Sequence, residues 1–354
     1  MKTIKGQGAQ INPKNRFVVN ELEREPEYLE YLAAEEEEEV AQTEIIETFP
    51  KTIVNKVPSP DVPMDWSVNP YQGCEHGCAY CYARSTHEYW GYSAGVDFER
   101  KILVKKNAAA LLEAKLKSRA WIVSPIMFSG NTDCYQPIER KLEITRQCLE
   151  VLLKYKHPVG IITKNALIQR DLDLLTQLAD ENLVHVVMSI TTLDEDLRRS
   201  MEPRTASAKR RLETIEKLTK AGIPVSVNMA PIIPGLNSHE IFNLLKAVKD
   251  AGARDANYIM VRLNGPVADV FAHWVKSAYP DRADKVLNHI LGAHDESLGS
   301  NEFGARMRGS GKMAEQIRDT FKLARKQIFG EVEKVELNCN SFLRPSSNGQ
   351  LNLF

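Results

Sequence analysis

The chain has no apolar run of the roughly 20 residues that a membrane-spanning helix needs, and its N-terminus lacks the order of a secretory signal. These absences argue against helical membrane and secreted proteins, so a cytoplasmic location with no membrane partner is expected. Cysteine is scarce, six in 354 residues with three of them in one loop, which excludes a disulfide framework and suits a reducing compartment. Charge of one sign is lacking too. The 46 Lys/Arg and 47 Asp/Glu leave a formal net charge of -1, which argues neither for nor against nucleic acid. What remains is ordinary for a globular protein: 43% hydrophobic and 26% charged residues, in a chain long enough for one large core with terminal additions.

The charge is unevenly spread. Residues 1–50 hold five Lys/Arg and twelve Asp/Glu, and the run Glu35 to Glu39 reads as a solvated linker or frayed helix. The rest of the chain is mildly basic, which permits a polyanionic substrate.

The most informative stretch is Cys74-Glu75-His76-Gly77-Cys78-Ala79-Tyr80-Cys81, a CxxxCxxC loop. Three thiols this close can converge on one inorganic centre, but they are one short of the four thiolates of a structural zinc or an ordinary ferredoxin cluster. If three thiolates hold a four-iron cluster, the fourth iron is free to bind a small molecule. Gly73 and Gly77 suit a tight loop whose backbone approaches sulfide. The alternatives are a zinc knuckle that adds His76, or three unconnected thiols; no second ligand pair stands at zinc-ribbon spacing.

The spacing, with an aromatic residue just before the last cysteine, resembles the cluster motif of the radical S-adenosylmethionine (SAM) superfamily. The resemblance implies a 4Fe-4S cluster on Cys74, Cys78 and Cys81, SAM on the open iron, and Tyr80 packed on the adenine. It implies reductive cleavage of SAM to a 5′-deoxyadenosyl radical that takes a hydrogen atom from substrate. A flavodoxin or ferredoxin-type electron donor follows from the same chemistry. Further segments resemble the spore photoproduct lyase-like group, whose members are often labelled DNA repair photolyases: Asn12-Pro13-Lys14-Asn15-Arg16-Phe17, the run from Asn69 to Arg84 with Thr86 to Tyr89, Asn131-Thr132-Asp133 with Tyr135-Gln136-Pro137, and Phe303 to Gly309.

From about Asp65 strand and helix patterns alternate, the signature of a parallel sheet with crossover helices. Strands are expected at 126–129, 158–163, 185–191, 225–233 and 257–263, and helices at 107–116, 138–155, 171–183, 209–221 and 239–251. The fold class expected is α/β: a partial (β/α)6 radical SAM barrel over 63–280 with an N-terminal arm and a C-terminal helical extension. Residues 1–62 would form the arm and acidic linker, 281–340 the helical extension and 341–354 a flexible tail. The arm is either a disordered terminus or a segment packed on the barrel or over its site.

In such barrels chemistry sits at the strand C-termini. Strand two ends in Gly130-Asn131-Thr132-Asp133, where the family binds the SAM amino group; a plain capped turn is the alternative. Lys164, after strand three, would point into the mouth or lie on the surface. Ser189 is the candidate for the SAM ribose. Arg204 could fork onto the SAM carboxylate, or merely bridge to Glu202. By resemblance Ile233, Gly235 and Asn237 mark the adenine-packing segment after strand five, and strand six brings Arg262.

Cys148 falls in an apolar helical pattern and reads as core. Cys134 follows the strand-two turn; facing the site, it could donate a hydrogen atom to a substrate radical, although a lone cysteine is more often inert. The chain closes on Gln350-Leu351-Asn352-Leu353-Phe354 after a polar tether. This resembles the peptide by which bacterial replication and repair proteins dock on the DNA sliding clamp, burying Leu353 and Phe354 in an apolar pocket. Three functions remain open: a radical SAM enzyme acting on DNA, as in lyase-type lesion repair; one modifying RNA, protein or a metabolite; and a non-catalytic iron-sulfur or zinc adaptor.

Overall fold

In a computed structural model, residues 4–18 and 42–344 are described. Their centre is a seven-stranded sheet in the order β10-β9-β8-β7-β6-β3-β2. Six strands run parallel: β3 (Trp66–Val68), β6 (Ile126–Phe128), β7 (Val159–Thr163), β8 (Val184–Ser189), β9 (Val225–Ile232) and β10 (Asp255–Met260). β2 (Val54–Lys56) closes one edge antiparallel to β3. Each parallel strand is apolar on nearly every inward position, as a sheet covered by crossover helices requires. The expected partial (β/α)6 barrel is what these residues form.

The helices between the strands bury one apolar face each. Leu149 and Leu152, Leu174, Leu175 and Leu178, and Leu244, Leu245 and Val248 recur at helical spacing, and all belong to one continuous core. The expected 138–155 helix is two: Glu139–Leu142 and Ile144–Lys154, parted at Glu143, whose φ is 52°. The break is fixed by the buried Glu139 carboxylate, which accepts from the Tyr71 hydroxyl, the Thr145 amide and Arg170.

Two segments taken as peripheral are built into the body. Within residues 1–62, β1 (Glu44–Thr48) pairs parallel with β5 (Lys101–Lys105), which also pairs antiparallel with β4 (Tyr71–Gln72) beside the cysteine loop. At the other end, residues 338–344 are pinned rather than loose. Asn338 N–H donates to the Asn182 carbonyl and Leu343 N–H to the Tyr155 carbonyl, both at 2.9 Å, and Arg344 reaches the Trp121 carbonyl at 2.8 Å. These partners precede strands, so the described chain ends on the face of the strand N-termini. The acidic run 35–39 and Gln350 to Phe354 lie outside the described residues. Among the described residues, no helix is long and apolar enough to cross a membrane.

The helical extension expected over 281–340 contains the helices Ala283–Ala293 and Lys312–Phe329, and an unforeseen helix, Pro266–Ala278, precedes them. The helix Lys312–Phe329 lies along β10: Phe321 packs at a tilt against Tyr258 with centroids 4.6 Å apart, and Arg325 pairs with Asp255 at 2.7 Å.

Candidate active site

The cysteine loop runs from β4 into a short 3-10 helix, Tyr82–Trp90. Gly73 and Gly77 take left-handed φ values of 81° and 66°, and a Cβ on either would come within 2.7 Å of Lys101 O or Glu99 Oε2. The loop backbone is fastened from several sides. Cys74 N–H donates to Phe98 O at 2.9 Å and Ala79 N–H to Met201 O at 3.0 Å. Gln136 accepts from Glu75 N–H and donates to Gly73 O. Arg84, wholly buried, donates to the Cys78 carbonyl at 2.9 Å and pairs with Glu99 at 2.5 Å.

Cys74, Cys78 and Cys81 are free thiols on the wall of one cavity of about 240 Å³. Burial, then neighbouring negative charge and the other thiols, pushes Cys74 well above the usual thiol range. A bound cation would reverse that balance by ionising the thiols. Among the described residues no three His, Cys, Asp or Glu side chains gather round a single-ion point; the thiols share a wall instead. His76 cannot serve as a fourth ligand as it stands, because Nε2 is 3.1 Å from Asn165 Nδ2 and Nδ1 is 3.4 Å from Asp133 Oδ2.

The cavity opens at the strand C-termini. Tyr80, Gly130, Asn131, Thr132, Asp133, Lys164, Ser189 and Arg262 all line it, from five different stretches of sequence. The 130–133 turn is tied to the cysteine-loop side: Asn131 Nδ2 donates to Gln72 Oε1 at 2.9 Å, and Thr132 Oγ1 to Tyr71 O at 2.7 Å. Asp133 is a brace as well as lining, accepting from Thr163 Oγ1 and Lys164 N–H, both at 2.8 Å. The Lys164 ammonium stands 6.0 Å from the Tyr80 ring centroid. Burial works to lower its pKa, but Cys78, Glu202, Asp133 and Cys81 outweigh it and hold the group above its ordinary value.

Five sequence candidates do not line the cavity. Arg204 points away, its Nε donating to the Gly6 carbonyl at 3.0 Å. Ile233 packs under the loop in an apolar cluster with Cys78 and Tyr80. Asn237 is a buried staple: it accepts from Ile233 N–H and donates to Thr191 O and Pro231 O. Gly235 turns beside His289. Cys134 is fully buried in the main core, its amide donating to Ser129 Oγ and its carbonyl accepting from Thr145, so it cannot meet a substrate radical. Strand five reaches the cavity earlier, through Asn228, Ala230 and Pro231.

Sequence reasoning missed the buried charges that frame the site. Glu202 accepts from the Tyr80 hydroxyl and from Thr191 Oγ1, and pairs with Arg211 at 2.6 Å. No spacing rule could join Arg84 to Glu99 or Tyr80 to Glu202 before the chain was folded. The arm is equally unheralded: Gly8 and Ala9 amides donate to Glu99, and Arg16 pairs with buried Glu88 at 2.6 Å.

The fold and site define a class: partial-barrel proteins with three thiols open to a cavity at the strand C-termini. This chain belongs to the radical SAM superfamily, which it matches over residues 68–248. It is 33% identical over 238 residues to an uncharacterised protein of Mycobacterium tuberculosis, covering 66% of this chain and 70% of the relative. An uncharacterised protein of Methanocaldococcus jannaschii is 27% identical over 248 residues, 70% of this chain and 88% of the relative. In fold the chain is similar to spore photoproduct lyase with bound AdoMet and dinucleoside spore photoproduct. The TM-score is 0.59 at 18% identity, over 88% of this chain and 86% of the other.

Proposed function

We infer that this protein is a radical SAM enzyme that acts on nucleic acid, with DNA lesions as the substrate class. The observation that carries the catalytic part is a donor set of three thiols at one cavity wall, with the one imidazole among the described lining residues, His76, engaged elsewhere. Such a set suits a 4Fe-4S cluster with one open iron on Cys74, Cys78 and Cys81. When bound, that group supplies one electron to SAM and so the 5′-deoxyadenosyl radical. The chain's own residues do the rest. Tyr80, the Gly130 to Asp133 turn, Ser189, Asn228 and Arg262 offer an aromatic face, main-chain groups and polar side chains to hold SAM in one pose. Lys164, held charged by Cys78, Glu202, Asp133 and Cys81, lines the same cavity. The largely apolar lining, with Met127, Ala230 and Pro231, disfavours water beside a radical.

The nucleic-acid part is supported by exposed aromatic side chains. Tyr82, which lines the cavity, is about half exposed, and Tyr89, Trp90, Phe17 and Phe303 elsewhere on the surface are each about half exposed or more. Arginines stand over three of them: Arg262 is 5.1 Å from the Tyr82 ring centroid, while Arg306, 4.5 Å from Phe303, and Arg16, 5.5 Å from Phe17, are already paired with Asp61 and Glu88. Aromatic faces interleaved with guanidinium groups suit stacked bases and phosphates. Docking of Gln350 to Phe354 on the bacterial sliding clamp belongs to the same reading, and the last described residue, Arg344, lies at the strand N-termini. A flavodoxin or ferredoxin completes the system as electron donor.

The test is anaerobic reconstitution with iron and sulfide, then quantification of 5′-deoxyadenosine from SAM with and without DNA, beside Cys78→Ala. We expect product that requires Cys78 and rises with DNA. Product indifferent to DNA would remove the nucleic-acid part, and no product from a loaded protein would remove the catalytic part. Deleting 350–354 should abolish clamp binding and leave SAM cleavage intact.

A further inference from the structure

A second cavity, of about 410 Å³, lies behind the cysteine loop. One residue separates the two. His76 lines the thiol cavity, while Asn165, hydrogen-bonded to its ring, and Arg204, whose amide donates to the His76 carbonyl at 3.3 Å, line the second. Four arginines line this second cavity, Arg140, Arg170, Arg204 and Arg210, with no carboxylate among its lining residues. Two of them are committed. Arg170 is paired to Glu139 and Asp171, both at 2.8 Å, and Arg204 is bonded to Gly6 O. Arg140 and Arg210 are exposed, and among the described residues neither side chain has a hydrogen-bond or ion-pair partner. Unpaired guanidinium groups converging on a concave surface call for an anionic occupant.

We propose that this arginine-lined cavity is the docking surface for an acidic one-electron donor protein of the flavodoxin type. The proposal rests on the radical SAM reading above. Two features favour a redox protein over a nucleic acid. The cavity has no aromatic lining residue, so it offers phosphate contacts but no stacking, whereas the other cavity, lined by Tyr82 and Arg262, offers both. It also adjoins the thiol centre through the loop itself, so a donor bound here need not occupy the substrate mouth. Its reduced cofactor gives up one electron and the iron-sulfur centre gains it, with no bond made or broken. Complexes of this kind are small, weak and steered by charge.

The test uses the reconstituted full chain, a bacterial flavodoxin and isothermal titration at low and raised salt. Wild type should bind with an affinity that falls as salt rises, and Arg140→Glu/Arg210→Glu should bind at least about tenfold more weakly. The milder Arg140→Ala/Arg210→Ala pair should fall between them and guards against misfolding of the first. Dithionite reduction of the cluster, followed by absorbance, should be the same in all three proteins. Equal flavodoxin affinity in variants and wild type overturns the proposal, as does wild-type binding that ignores salt. A charge-reversed variant that keeps flavodoxin but loses an oligonucleotide would assign the cavity to phosphate instead. Absence of deoxyadenosine from dithionite-reduced wild type counts against the catalytic reading alone, because the affinity comparison does not depend on it.

Discussion

Glu202 has no contact with solvent, and it lies two residues from the arginine that the sequence favoured. Burial works to raise its pKa, but Arg211, then Lys164, Thr191 and Tyr80, hold the carboxyl down at about 2. A buried ion pair stabilises little against an apolar replacement, yet removing one partner strands the other charge. Glu202→Ala should therefore lower unfolding stability by about 3–5 kcal/mol in urea titrations, and Glu202→Leu/Arg211→Met should recover most of it. A double variant as unstable as the single one would show that the pair has a role beyond mutual neutralisation. Residues 202, 211 and 80 carry no periodic signal, so this contact was illegible before folding. Cys134 erred for a related reason, because a loop residue's direction depends on dihedrals that composition does not reveal.

At the scale of elements, the arm and the cysteine loop form one unit. A Cβ on Gly8 would stand 1.8 Å from the Gly77 carbonyl, and one on Gly95 would stand 1.9 Å from the Ile11 carbonyl. The arm is thus threaded against the loop at distances that only glycine allows. Gly8→Ala should displace the loop and reduce the iron bound per chain on reconstitution, while leaving the helices of the barrel intact by circular dichroism. Full iron loading in that variant would mean that the arm packs on the loop without shaping it. The sequence left the arm open between disorder and packing, because nothing local in 4–18 is periodic. Its fastening comes from Glu88 and Glu99, more than 70 positions away.

The whole molecule carries several histidines buried in neutral form. Burial lowers His76, His87 and His157 to about 4, and His157 accepts the Trp121 indole N–H at 3.1 Å. Unfolded histidine titrates near 6.5, so between 4 and 6.5 the unfolded chain binds more protons than the folded one. Stability is therefore complete above about pH 6.5 and declines as pH falls through that window, by at most about 1.4 kcal/mol per pH unit for each histidine. Urea midpoints of the apoprotein at pH 7 and pH 5 check this, and His157→Gln should flatten the slope while keeping an acceptor for Trp121. A midpoint independent of pH would contradict it.

The alternation of strands and helices and the three cysteines were legible because both are local: a period of two or 3.6 residues, and three thiols within one loop. The strands at 126–128, 159–163 and 184–189 lie within about two residues of expectation for that reason. Tertiary structure alone decided which side chains share the cavity. The fold brings Asn228, Ala230 and Pro231 to its wall and leaves Ile233, Gly235 and Asn237 off it, and Arg204 is bonded instead to the Gly6 carbonyl of the arm. It alone also gathered Arg140, Arg170, Arg204 and Arg210, separated by up to 70 positions, into one basic hollow behind the loop. Sequence spacing encodes which element forms, whereas convergence of distant side chains is a property of how the elements pack.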